Sequence, residues 1–287
     1  MEKRKTQWFN DIISDVLNEY KGRFYQEPYV YHYTTLSALM NILENNQLWL
    51  SERNCMNDIK DGTFVRTFVQ DFIDENHCDN LLQNFNENQH QYIFSTSKEK
   101  DSIHQWQYYG ATGDEVCIEL NREELINTFG KPFSYNNYYY GSIFYTKDYS
   151  EESEEKEIIV RLINDYINTL PTIFNLDELK VQNTQYKIVI EYLFSLIKQY
   201  GHHCEQEYRF TITEDAIKTK KQKIINSSKQ KKLTKKQKDV LNDLTTKFRP
   251  RNGLIIPYIT MPFNPKKLIS GIIIGPNKKD PIAKKKS

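Results

Sequence analysis

Three short stretches of this 287-residue chain carry side chains that could do chemistry. His32 stands inside Y-V-Y-H-Y-T-T, residues 29–35. Its imidazole titrates closest to neutral pH and can give or take a proton, although a histidine among aromatic residues also serves as a packed, hydrogen-bonded core residue. Ser95, Thr96 and Ser97 end the stretch Q-Y-I-F-S-T-S, and Glu205, Glu207 and Arg209 lie in E-Q-E-Y-R. Side chains alternate along a strand, so Ser95 and Ser97 point together, as do Glu205 and Glu207, while Tyr208 and Phe210 face the other way. One face could line a cleft and the other pack on helices. A structural cluster of carboxylates with a guanidinium explains the same spacing, and the two serines can cap neighbouring backbone.

Other candidate chemistries are weaker. H-H-C-E, residues 202–205, offers metal-type ligands. A zinc site needs three or four converging groups, and adjacent strand residues diverge, so no metal is expected. N-D-I-K-D, residues 57–61, reads as a polar turn rather than a cation loop. Neither a G-x-x-x-x-G-K-[ST] nor a G-x-G-x-x-G run is present, which disfavours ATP hydrolysis. The four cysteines are widely separated, no secretory pattern opens the chain and no apolar run approaches the length of a spanning helix. The expectation is a reduced, cytoplasmic protein. Formal net charge is only +1, yet residues 218–238 hold ten lysines and no acid. Such a segment buries little, forms a solvated helix or mobile arm, and raises the local concentration of RNA or DNA in a salt-dependent way. The tyrosines between Tyr135 and Tyr145 could stack bases, but core packing explains them better.

The elements that would position these residues follow from periodicity. Trp8, Phe9, Ile12, Ile13, Val16, Leu17 and Tyr20 recur at helical spacing. Y-V-Y-H-Y reads as a strand, Thr34 or Thr35 as the cap of helix L-S-A-L-M-N-I-L ending near Asn45-Asn46, and L-W-L-S as a second strand. A helical pattern follows Gly62. Next come strand Q-Y-I-F-S-T-S, helix D-S-I-H-Q-W-Q-Y-Y-G, strand E-V-C-I-E-L, helix R-E-E-L-I-N-T-F and a strand within Y-Y-Y-G-S-I-F-Y. Residues 151–200 read as an all-helical insertion. Strand signals return at E-Q-E-Y-R-F-T-I-T, G-L-I-I-P-Y and L-I-S-G-I-I-I-G. The sum is a single α+β domain over residues 1–287, with a mixed, mostly antiparallel sheet core in 22–150 and 201–275.

The ordered blocks Y-H-Y-T, L-W-L-S, N-D, F-S-T-S, V-C-I-E, E-Q-E-Y-R and I-S-G-I-I-I-G resemble the bacterial family catalogued as domain of unknown function 2971, from about Tyr29 to Gly275. More distantly, a strand bearing His-x-Thr, a helix reading L-x-x-I-L and an exit such as L-W-L look like the opening of ADP-ribosyltransferase-like folds. That likeness implies NAD as substrate, with His32 first, Ser95-Thr96-Ser97 second and Glu205-Gln206-Glu207 third among three site elements. It further implies Glu207 as the catalytic carboxylate facing the positive charge that develops on ribose. His32, the second catalytic candidate, would hydrogen-bond a ribose hydroxyl, and Ser95 and Ser97 would help orient the glutamate. Tyr31, Tyr33 or an aromatic of W-Q-Y-Y near Trp106 could stack on a cofactor ring. The expected role is an NAD-cleaving transferase or glycohydrolase, such as a toxin or phage-defence effector, with a protein or nucleic-acid acceptor met by the lysine-rich arm. The alternatives are a non-catalytic nucleic-acid-binding module and a metal-independent nuclease built around His32 and the glutamates.

Overall fold

A computed structural model describes residues 25–56, 90–109, 114–130, 138–152, 195–228, 232–251 and 253–276, with single residues between 64 and 75 and between 156 and 161. The expected first helix and the turn at residues 57–61 lie outside the described residues, as does most of 151–200. The chain divides into two compact units, one of residues 1–26, 60–87 and 144–202, the other of 27–59, 88–143 and 203–287.

The second unit is built on a nine-stranded sheet. Strand β1 (Tyr29–Thr35) runs into helix α1 (Leu36–Asn45), whose start is capped by the Thr35 hydroxyl accepting from Ala38 N at 3.3 Å. Asn46 closes that helix in the left-handed conformation, φ 51°, which asparagine tolerates, and β2 (Gln47–Glu52) follows. The next strands and helices of this unit are β3 (Gln91–Ser97), α2 (Ile103–Tyr109), β4 (Glu115–Asn121), α3 (Arg122–Gly130) and β5 (Tyr138–Ser142). In the first unit, β6 (Phe144–Thr146) pairs in parallel with β7 (Ile197–Gln199), so the end of the stretch expected to be all helix forms a strand. β8 (Glu207–Thr213), α4 (Glu214–Ser227), α5 (Lys235–Asp243), β9 (Lys247–Arg251), β10 (Leu254–Pro262), α6 (Pro265–Leu268) and β11 (Ile269–Ile274) complete the second unit.

All pairings in this sheet are antiparallel, giving the mixed α+β architecture that the alternating and helical patterns predict. β3 is its organising strand. One edge pairs with β8 over its whole length, from Gln91↔Thr213 to Ser97↔Glu207. The other edge is shared: β2 meets it only at Ser51↔Ile93 and Glu52↔Tyr92, and β1 only at Tyr31↔Ser97. Between those contacts the sheet forks, one wing running β1, β4, β11 and the other β2, β10, β9.

The two faces differ in chemistry. Val30, Leu48, Leu50, Phe94, Ile118, Leu120, Phe210 and Ile259 point to one side, all buried. There α3 covers them, its Phe129 stacked on Phe210 at 4.9 Å. Burying a ring of this size contributes about 1.5–3 kcal/mol, enough to seat the helix. Directly opposed residues share a face, so Ser95, Ser97, Glu207, Arg209 and Thr211 lie together on the other side. That face is buried as well but mostly polar, and buried polar groups need partners.

Candidate functional site

Ser95 occupies the fork. Its hydroxyl donates to Glu207 Oε1 at 2.6 Å on the polar face, and its main-chain oxygen, in the plane of the sheet, meets His32 Nδ1 at 3.0 Å. Arg209, two residues along β8 on the same face, donates from Nε to Glu207 Oε1 at 2.7 Å and from Nη2 to Oε2 at 2.9 Å. Glu207 and Arg209 are 3% and 1% exposed, so this two-point ion pair is held away from water, where such bonds are strongest and a missing partner most costly. The geometry fixes a carboxylate with three donors on it.

The candidate residues divide between the faces. Glu207, Ser95 and Ser97 share the polar face, as the alternation predicts. His32 does not join them there: Tyr31 opposes Ser97, so His32 points to the apolar side and its ring stacks on Phe94 at 4.6 Å. It reaches the fork through the main chain of Ser95 rather than through Glu207. Glu205 also departs from expectation. The strand begins at Glu207, and Glu205 ends a 3₁₀ turn over Tyr200–Glu205 that leaves through Gln206 at φ 45°, which breaks the alternation. Glu205 instead offers its carbonyl, accepting from Ser97 Oγ at 3.0 Å and Gln105 Nε2 at 2.8 Å. Thr96 faces away and donates to Tyr208 O at 2.6 Å, tying β3 to β8.

Tyr33 and Trp106, expected to stack on a ligand ring, pack edge to face on each other at 4.8 Å, in a buried cluster with Tyr31 and Cys117 beneath α2. The Tyr33 hydroxyl donates to Glu99 O at 2.8 Å and accepts from Ser102 N at 3.0 Å, and Trp106 Nε1 donates to Asp101 Oδ1 at 2.7 Å. Burial pushes the Tyr33 hydroxyl well above the usual phenol value and the Cys117 thiol up to about 12. These groups fix the loop after β3 and the approach of α2.

The polar face continues along the other wing with residues that the sequence did not single out. Ser51 opposes both Ile93 and Tyr258, and Ile256 opposes Arg249, which places Arg249 on the same face as Ser95. Its guanidinium donates to Ser51 Oγ at 2.8 Å and lies over the rings of Trp49 at 5.1 Å and Tyr258 at 5.9 Å, themselves 4.8 Å apart. A cation held by two aromatic rings is a favourable place for a phosphate or a planar group. The alternation in L-W-L-S and K-F-R-P-R was the available signal, but pairing partners some 200 positions apart were not readable. Among the described residues no three His, Cys, Asp or Glu side chains form a metal-type cluster, and no helix is long and apolar enough to cross a membrane.

The family model of proteins of unknown function DUF2971 matches residues 105–210, from α2 to the middle of β8, and so includes Glu207 and Arg209. It supports the resemblance to that family over this part of the stretch from Tyr29 to Gly275. No curated protein and no solved structure matches the chain.

Proposed function

We propose that this chain uses NAD as a substrate, cleaving the bond between nicotinamide and ribose and passing ADP-ribose to water or to a protein or nucleic-acid acceptor. The observation that carries this reading is the meeting of His32 and Glu207 on one residue, Ser95, at the fork of the sheet. Cleavage of the glycosidic bond develops positive charge on the ribose, and a carboxylate already fixed by Ser95 and Arg209 opposes that charge without reorganising. Glu207 is then the catalytic group. Ser95 orients it, and His32 is a positioning residue that holds the Ser95 carbonyl. Arg249, with Trp49 and Tyr258 on the same face, supplies a cation for the diphosphate.

The test is release of labelled nicotinamide from NAD by the purified protein, with Ser95→Ala and Arg249→Gln as variants that keep the buried Glu207–Arg209 pair intact. Ser95→Ala is expected to lower kcat with little change in KM, and Arg249→Gln to raise KM. Unchanged turnover in both, in protein with native unfolding behaviour, removes the site. Absence of NAD binding to the wild type removes the reading altogether.

A further inference from the structure

The charge of this molecule is polarised. The whole chain is +1 while residues 218–238 carry ten lysines and no acid, so the remainder is −9. The structure organises much of that segment as two capped helices. Thr213 caps α4 by accepting from Ala216 N, and Thr234 and Gln237 form a reciprocal capping box at the start of α5. Gln237 Nε2 also donates to Ser227 Oγ at 3.3 Å, which joins the start of α5 to the end of α4. The two lysine-bearing helices therefore meet end to start.

Eight of the lysines are described: Lys218, Lys220, Lys221, Lys223, Lys232, Lys235, Lys236 and Lys238. Lys218 pairs with Glu214 at 3.1 Å. Among the described residues the other seven have neither an ion pair nor a hydrogen bond to their ammonium groups. Like charges roughly 8 Å apart in water repel by about 0.5 kcal/mol per pair. Glu214 and Asp215 at the start of α4 and Asp239 and Asp243 in α5 offset part of this, and the net positive charge that remains is relieved by a polyanion.

We infer that the lysine-bearing helices α4 and α5 form a nucleic-acid-binding surface, independent of the proposed NAD chemistry. A phosphodiester strand presents regularly spaced charges that meet lysines one helical turn apart and releases condensed counterions when they are neutralised. An anionic membrane fits less well. An interfacial helix needs an apolar face of several large residues, and Ile225 is the one large apolar side chain exposed on these two helices.

The experiment measures binding of a fluorescent single-stranded oligonucleotide to the full chain by anisotropy over a salt series. The expected slope of log K against log salt is about −0.7 for each phosphate neutralised. The variant Lys220→Gln/Lys223→Gln/Lys235→Gln/Lys238→Gln should reduce that slope by about 3 and weaken binding roughly a hundredfold at 0.1 M salt. The matching Lys→Arg variant should retain both. No binding of the wild type at about 0.05 M salt, an unchanged slope in the Gln variant, or tighter binding to polyglutamate or phosphatidylserine vesicles than to the oligonucleotide overturns the inference.

Discussion

Glu207→Gln should be one of the most damaging single-atom changes available to this fold. The carboxylate accepts from Ser95 Oγ, Arg209 Nε and Arg209 Nη2, all at 2.9 Å or less, and Arg209 is 1% exposed. The amide keeps one acceptor but turns an NH₂ toward Nη2, donor against donor, and leaves a buried guanidinium without countercharge. Breaking a buried pair from one side costs about 3–5 kcal/mol. Arg209→Met strands the carboxylate instead and should cost a similar amount. The double variant contains no buried charge, and Ser95 can still donate to the glutamine oxygen, so its loss should be only about 1–3 kcal/mol for an imperfectly bonded amide. The cycle therefore predicts a coupling of at least about 3 kcal/mol. Urea unfolding of the four proteins, followed by tryptophan fluorescence, measures it, and each single variant should melt roughly 10 °C below the wild type. Single variants losing less than about 1 kcal/mol, or a double variant losing the sum of the two, would refute the assignment of Glu207 and Arg209 as a mutually dependent buried pair.

Two further outcomes follow from buried titratable groups. Asp243 ends α5 with Oδ1 accepting from Gln47 Nε2 at 2.8 Å and Thr260 Oγ1 at 3.1 Å. Burial raises its pKa above the usual carboxylate value, against the opposing pull of the Thr260 bond and of Lys247, with Asp239 adding repulsion. The folded state thus holds this proton more tightly than the unfolded chain does. Its contribution is fully present below the ordinary carboxylate value and is lost as pH rises from there through the raised folded one. Asp243→Asn should flatten the stability profile in denaturant titrations as pH rises above the ordinary carboxylate value, and an unchanged slope there would count against it. Cys117, fully buried with its thiol pushed up to about 12, and Cys55, pushed up to about 11 first by burial and then by Glu52, should resist iodoacetamide at pH 8 in the native protein. Mass spectrometry that finds Cys117 alkylated as fast as in the unfolded chain would contradict its placement.

The parts of this fold that the sequence discloses are those governed by local rules. Y-V-Y-H-Y, Q-Y-I-F-S-T-S and E-V-C-I-E-L alternate and form strands, Thr35 caps α1, and Asn46 ends it. K-F-R-P-R is also a strand, β9, yet its proline and three cations hide it. Proline lacks the donor a central strand needs, and β9 is tolerated because it lies at an edge of the sheet. A single residue in the left-handed region, Gln206, separates the turn that holds Glu205 from the strand and cancels the parity between the two glutamates. The sequence names His32 and Ser95 as elements of one site, but parity cannot say that they touch through a main-chain carbonyl from opposite faces of the sheet. The fork depends on how little of β3 is paired by β1 and β2, a property of register between distant segments. Arg249 illustrates the same limit, because its surroundings are assembled from β2 and β10.

The position of β8 in the chain also has a temporal side. Ser95 and Glu207 are 112 positions apart, so β3 leaves the ribosome well before the strand that pairs its entire edge. At a synthesis rate of roughly 5–20 residues per second the delay is about 6–22 s, long compared with the microseconds in which hairpins form. During that interval Q-Y-I-F-S-T-S has β1 and β2 available on one side at only three positions and open hydrogen-bonding groups along the other. Slower translation between β3 and β8 therefore lengthens the nascent chain's exposure to strand-swapping and chaperone capture, and circular permutants that bring these two strands close in sequence should fold with fewer such losses.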